Sequence, residues 1–136
     1  MAENPTWLAV VAAAIRDPGG RLLLQQALPG KRHASLWEFP GGKVESEENP
    51  RLALAREVLE ELDLTLDPTA MRPLGFADEG GADGRPGIVL FLYDCPAWQG
   101  SPEALEGQAF GWFSLAEARS LALAPMDLAL LETLGG

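Results

Sequence analysis

Three glutamates crowd one short stretch of the chain, Glu57, Glu60 and Glu61. Spaced at i, i+3 and i+4, they fall within one turn of an α-helix, where like charges destabilise one another. A hard divalent cation, magnesium or manganese, gives such a cluster a purpose, because it takes oxygen ligands and bridges to substrate phosphates. In a generic helix the plainer account is a solvated acidic face. Arg56 stands four residues before Glu60 and can orient it, or form an ordinary surface ion pair.

The helix that carries these residues has a clear start, with Asn49 as N-cap and Pro50 at the first helical position. At about 100° per residue, Leu52, Ala55, Leu59 and Leu62 form one apolar stripe, with the carboxylates on the opposite face. Leu54 lies near the carboxylates and outside that stripe. Asp63 follows the helix where glycine usually supplies a left-handed cap. Aspartate visits that conformation more readily than most residues, though its charge opposes the helix dipole. A small stability cost and an intact site are expected.

A longer pattern encloses the cluster. From Gly42 to Leu64 the chain resembles the Nudix box, G-x5-E-x7-R-E-U-x-E-E-x-G-U with U apolar, and Gly42, Glu48, Arg56, Glu57, Val58, Glu60, Glu61 and Leu64 fall on it. Asp63 departs, standing where the family has glycine. Leu36-Trp37-Glu38-Phe39-Pro40-Gly41-Gly42-Lys43 resembles the MutT branch, the pyrophosphohydrolases that sanitise nucleotide pools. Glu106-Gly107-Gln108, followed by Trp112, is similar to the segment that gives MutT-like enzymes one more metal-binding glutamate. Asp127 falls where MutT has a base-recognising asparagine and related CTP pyrophosphohydrolases have aspartate.

The resemblance implies a role for each matching residue. The metal ligands would be the Gly41 carbonyl, Glu57, Glu60, Glu61 and Glu106, with Mg²⁺ or Mn²⁺ as the ion. Glu48 and Arg56 would tie loop to helix, Lys43 would face the phosphates, and Phe39 would stack on the base. An exposed lysine and a core aromatic are the bland alternatives for the last two. Gln26-Ala27 takes the place of two MutT arginines, one of which contacts oxidised guanine, so Arg85 or Arg32 would have to replace that contact. An ionised Asp127 only accepts hydrogen bonds, which suits a cytosine amino group or the N1 and N2 donors of guanine. His33, the one histidine, sits in a polar loop without an assigned role.

The reaction implied is attack by water on a phosphorus of a nucleoside triphosphate, giving the monophosphate and pyrophosphate, with oxidised or modified nucleotides as expected substrates. Glu57, Glu60 or Glu106 would take the water's proton. One rival is hydrolysis of another nucleoside diphosphate derivative, such as ADP-ribose, a dinucleoside polyphosphate or a nucleotide sugar. The other is a non-catalytic nucleotide-binding module, which has no need of metal carboxylates.

The rest of the chain must position these groups. Its 136 residues, 47% hydrophobic and 22% charged, read as one globular domain spanning 1–136. A net charge of −10 argues against nucleic-acid polymers as partners. Apolar runs are too short to span a membrane, and Met1 to Thr6 has no basic region of a signal peptide. The single cysteine, Cys95, excludes an internal disulfide and reads as a buried thiol. A cytoplasmic protein, monomer or homodimer, is expected.

Strands are expected over Trp7–Arg16, returning over Arg21–Gln26 after the Asp17-Pro18-Gly19-Gly20 turn, then Leu36–Phe39, Met71–Asp78, Gly87–Cys95 and Ala109–Phe113. Ser114-Leu115-Ala116-Glu117 is a capping box for a short helix, and Met126–Leu134 suggests a last one. This order makes an α/β domain and resembles the Nudix fold, a mixed β-sheet sandwiched between helices.

Overall fold

Strand β1 (Trp7–Ala14) ends in four consecutive buried residues, Val11 to Ala14. Such a run marks a strand covered on both faces. In the computed structural model, which describes residues 6–134 and leaves Met1–Pro5 outside, β1 is central to a four-stranded mixed sheet. It pairs parallel with β7 (Gly87–Asp94) on one edge and antiparallel with β4 (Gly41–Lys43) on the other. Strand β6 (Arg72–Glu79) completes this sheet beside β7.

The segment expected to return beside β1 goes elsewhere. Strand β2 (Leu22–Gln26) lies in a second sheet, between β3 (Trp37–Glu38) and β9 (Phe110–Phe113), and its bridge back to the first strand is Arg16–Leu22, just beyond the end of β1. The reason is geometric: a strand has two hydrogen-bonding edges, and β4 and β7 already occupy both edges of β1. A third, two-stranded ladder pairs β5 (Thr65–Leu66) with β8 (Trp98–Gln99). Sequence reading does not pick out β4, β5 or β8, which have two or three residues each.

Three helices cover the sheets: α1 (Pro50–Leu62), α2 (Leu115–Arg119) and α3 (Pro125–Leu134). Helix α1 packs over the first face of the large sheet, where Val11, Leu54, Val58 and Leu62 share one cluster. On the other face Ala12, Leu90 and Leu92 meet β2 and α3 through Leu24, Leu130 and Leu131. The caps form as expected: Asn49 Oδ1 accepts from the Arg51 and Leu52 amides at 2.8 and 3.3 Å, and Ser114 and Glu117 form a reciprocal box.

The apolar stripe of α1 is the exception. Its buried face is Ala53, Leu54, Val58, Glu61 and Leu62, while Leu52 and Leu59 remain 57% and 46% exposed. Leu54, Val58 and Leu62, at i, i+4 and i+8, form an equally apolar row, so helical periodicity alone does not choose between the two. Packing on β4 chooses, and it draws Glu57 and Glu61 toward the sheet instead of away from it. Asp63 adopts the left-handed conformation with φ 58° and ψ 33°, and its amide donates to the Leu59 carbonyl at 3.1 Å. Cys95 is buried, and desolvation aided by neighbouring Asp94 pushes its thiol up to about 12. Among the described residues, no helix is long and apolar enough to cross a membrane.

Candidate active site

A cleft of about 500 Å³ opens between the two larger sheets, and carboxylates line one end of it. Glu57 and Glu61 reach this end from α1, opposite Gly41 and Gly42 of β4. Both glycines are needed for that approach. A Cβ at Gly42 would collide with the Glu57 carboxyl, and one at Gly41 would strike the Val11 carbonyl oxygen. Burial raises the pKa of Glu57, opposed by the Arg56 hydrogen bond and reinforced by the charges of Glu60 and Glu106. Burial pushes Glu61 up to about 7, a hydrogen bond from Gln25 opposes it, and Glu57 and Glu106 add to it.

Arg56 organises the rim of this end. Its Nε and Nη2 donate to the two Glu48 oxygens at 2.8 and 2.9 Å, a bidentate pair. Its Nη2 also donates to the Lys43 carbonyl at 3.3 Å, and its Nη1 to Glu57 Oε1 at 3.0 Å. The loop ahead of the helix is thus tied to α1 by one side chain. The hydrogen bond from Arg56, with that from the Glu45 amide, holds the Glu48 carboxyl down at about 2. Glu60 is more than half exposed, 3.5 Å from Arg56, and does not line the cleft.

Among the described residues, no three acidic, histidine or cysteine side chains converge closely enough to surround one ion. Arg56 draws Glu57 to one side, and Gln25 Nε2 holds Glu61 at 3.0 Å. The donor set still suits a hard cation. It offers only oxygens, and the mutual repulsion of Glu57, Glu61 and Glu106 is relieved by a positive ion placed among them.

The opposite end of the cleft is largely apolar. Phe39 is 3% exposed and packs with Leu90, Met126 and Leu24, yet it also lines the cleft, so the core role and the cleft role coincide. Asp127 is 4% exposed on the first turn of α3, and its Oδ2 accepts from the Phe39 amide at 2.9 Å. Burial pushes Asp127 up to about 7 against that hydrogen bond. At such a value a protonated fraction near neutrality carries a donor beside the acceptor. Glu38 lies beside it. Desolvation, then the charges of Asp127 and Glu61, push its carboxyl up to about 8 against Lys31.

The remaining candidates divide. Lys43 and Glu106 both line the cleft and are exposed. Arg85 is not brought to it: this residue, in the β6–β7 turn, lines a separate depression with Trp7 and Gly81. Arg32 lines the cleft instead, as does His33. Three polar residues of the site had no role in the sequence reading. Gln25 and Gln108 are buried and linked: Gln108 Nε2 donates to Gln25 Oε1 at 3.1 Å and to the Glu61 carbonyl at 2.9 Å. Glu38 is the third. A polar letter in an otherwise apolar strand was the available signal for Gln25, while Glu38 and Gln108 stood inside family-like segments without a role of their own.

Comparison with known proteins bears on this geometry. A NUDIX domain model matches residues 5–134. A CTP pyrophosphohydrolase of Escherichia coli K12 is 39% identical over 122 residues, covering 90% of this chain and 87% of its own. An 8-oxo-dGTP diphosphatase of Haemophilus influenzae is 35% identical over 106 residues, covering 77% and 74%. Among solved structures, a MutT NUDIX hydrolase from Burkholderia pseudomallei superposes with a TM-score of 0.83 at 29% identity, over 95% of this chain and 98% of that one.

Proposed function

The chain belongs to the Nudix family, whose hydrolases are generally dependent on a divalent metal, and from that premise we propose that it is a nucleoside triphosphate pyrophosphohydrolase acting on oxidised or modified nucleotides. One observation carries the proposal: the Glu57 and Glu61 carboxylates and the Phe39–Asp127 pair line the same cleft. Polyphosphate chemistry and base recognition therefore have adjoining ends of one site.

Glu57 and Glu61, with Glu60, Glu106 and the Gly41 carbonyl, would hold Mg²⁺ or Mn²⁺. When bound, the metal would polarise the phosphoryl oxygens, lower the pKa of a water and orient the leaving group. The chain's own residues do the rest. Glu57 is the best-placed proton acceptor, because it lines the cleft, whereas Glu60 does not line it and Glu106 is exposed. As the water oxygen bonds to phosphorus, its proton passes to the carboxylate and the phosphoanhydride P–O bond breaks. Pyrophosphate leaves and the monophosphate remains. Lys43 faces the phosphates at the carboxylate end, and Phe39 and Asp127 receive the base. Relatives named as a CTP pyrophosphohydrolase and an 8-oxo-dGTP diphosphatase support this substrate class.

Measuring pyrophosphate release from CTP, dCTP, dGTP and 8-oxo-dGTP, alongside ADP-ribose cleavage, with and without magnesium, tests the reading. Release of pyrophosphate from at least one triphosphate, dependent on the ion and faster than ADP-ribose cleavage, is expected. Cleavage of ADP-ribose alone, or of nothing, overturns it.

A further inference from the structure

Residues 27–36, between β2 and β3, form a loop fastened at two places. Its neck is closed by backbone: the Ala27 amide donates to the Leu36 carbonyl and the Ser35 amide to the Ala27 carbonyl, both at 2.9 Å. Its tip is fastened by charge to the far side of the cleft. Glu79, the last residue of β6, forms an ion pair with Arg32 Nε at 3.0 Å and a hydrogen bond with His33 Nε2 at 2.9 Å. A carboxylate has no proton to give here, so the His33 nitrogen that faces it carries the hydrogen. Arg32 Nη1 also donates to the Pro86 carbonyl at 3.3 Å, just ahead of β7.

Two features set this arrangement apart from an incidental surface pair. Arg32, His33 and Glu79 are each only about a quarter exposed, with side-chain values of 23%, 24% and 24%, so solvent screens the cluster less than an open ion pair. The loop is also strained: His33 and Ser35 hold left-handed backbone angles, φ 59° and 71°, without being glycine. Such a conformation persists only where surrounding contacts impose it. The contacts at the tip are those of Glu79. Arg32 and His33 line the cleft with Ile88, Met126 and Asp127, at the end away from the α1 carboxylates.

We propose that Glu79 is a positioning residue, which docks Arg32 and His33 and thereby holds the 27–36 loop over the base end of the cleft, setting nucleotide affinity without acting on the phosphates. The proposal rests on the nucleotide-hydrolase reading of this cleft. A clamp of this kind acts on ground state and transition state alike, so its loss raises KM and leaves kcat in place.

The experiment compares Glu79→Gln, Glu79→Ala, Arg32→Ala and the Glu79→Ala/Arg32→Ala pair with wild type, using CTP and dGTP with magnesium, and follows amide hydrogen exchange across the chain. Each single variant is expected to raise KM by about tenfold with kcat held within about twofold. The double variant is expected to be no worse than Glu79→Ala, because both changes release the same loop. Exchange is expected to quicken in residues 28–36 and nowhere in α1. An unchanged KM, or a fall in kcat at constant KM, overturns the proposal. If neither nucleotide is turned over by any form of the protein, the functional reading fails separately. Exchange then decides the clamp: faster exchange in 28–36 of Glu79→Gln upholds it, and unchanged exchange removes it.

Discussion

The rim of the cleft and its interior treat the same chemical group in opposite ways. At the α1 end, the Glu48 carboxyl is held down at about 2 by Arg56, which also binds Glu57 and keeps charge available at the rim. Inside the cleft, burial pushes Glu61 and Asp127 up to about 7 and Glu38 up to about 8. A group that ties a loop to a helix profits from staying ionised at every working pH. One that must meet the edge of a base profits from being able to accept or donate. The contrast shows how one fold sets carboxylates to different tasks through solvation and a single arginine.

The sharpest way to break this division is to remove charge at the α1 end. Glu57→Gln keeps the volume and loses the ionised oxygen, and kcat for pyrophosphate release at saturating magnesium is expected to fall on the order of 10²–10⁴-fold. Glu60→Gln is also expected to cut turnover, by less, since Glu60 does not line the cleft. Neither is expected to unfold the protein, which a thermal melt checks. Wild-type turnover in both variants would remove the α1 carboxylates from the chemistry.

At the base end the expected effect is on choice. Asp127→Asn retains an acceptor for the Phe39 amide but fixes one donor beside it. The relative kcat/KM values for CTP, dGTP and 8-oxo-dGTP are expected to shift by about tenfold or more, since a site that hydrogen-bonds its substrate discriminates strongly against a mismatched edge. Pyrophosphate should remain the leaving product. A profile unchanged in rank and spacing would make Asp127 only a cap for the Phe39 amide.

The two ends also differ in how far the sequence exposes them. The α1 end is local: Glu48, Arg56, Glu57 and Glu61 lie in one helix and the loop before it, so spacing and family resemblance reach them together. Even there the apolar stripe was misplaced, because Leu52 and Leu59 fit a helical period as well as Leu54 and Val58 do, and only packing on β4 separates them. The base end is assembled from afar. Phe39 and Asp127 stand 88 positions apart and meet through one hydrogen bond, while Gln25 and Gln108 stand 83 apart. Phe39 and Asp127 were reached through resemblance, not through any pattern of their own. Arg85 and Arg32 looked interchangeable in the sequence, and only the separate depressions they line tell them apart.

A smaller effect, on stability, separates the buried acids from the rim by sign. Asp127 has a folded pKa of about 7 against an ordinary 3.8, so its protonated form is favoured by folding. Its contribution is complete below about 3.8 and is lost as pH rises through about 7. Glu38 behaves alike between 4.5 and about 8. Glu48 is reversed: its contribution is present above 4.5 and lost as pH falls through about 2. The metal-free protein is therefore expected to melt highest on the acid side of neutrality and lower at pH 9 than at pH 6. Asp127→Asn should flatten the alkaline fall, and Glu48→Gln should not. A melting temperature that rises steadily from pH 6 to pH 9 would contradict the burial of both acids.

The least effect is expected at the end of α1, just outside the site. Asp63 holds a left-handed conformation that glycine adopts without steric cost, and it places a negative charge at the negative end of a helix dipole. Among the described residues its side chain makes no hydrogen bond or ion pair that would offset this. Asp63→Gly relieves both costs but loosens the unfolded chain, which returns part of the gain. The net is a stabilisation of about 1 kcal/mol or less. Asp63→Asn separates the contributions, since asparagine tolerates the left-handed region and carries no charge. If the dipole dominates, the two variants should melt at nearly the same raised temperature; if backbone conformation dominates, only the glycine should gain. Turnover should be unaltered in each, because α1 keeps its register and its carboxylates. A lower melting temperature in both variants would mean that the Asp63 carboxylate stabilises the helix end.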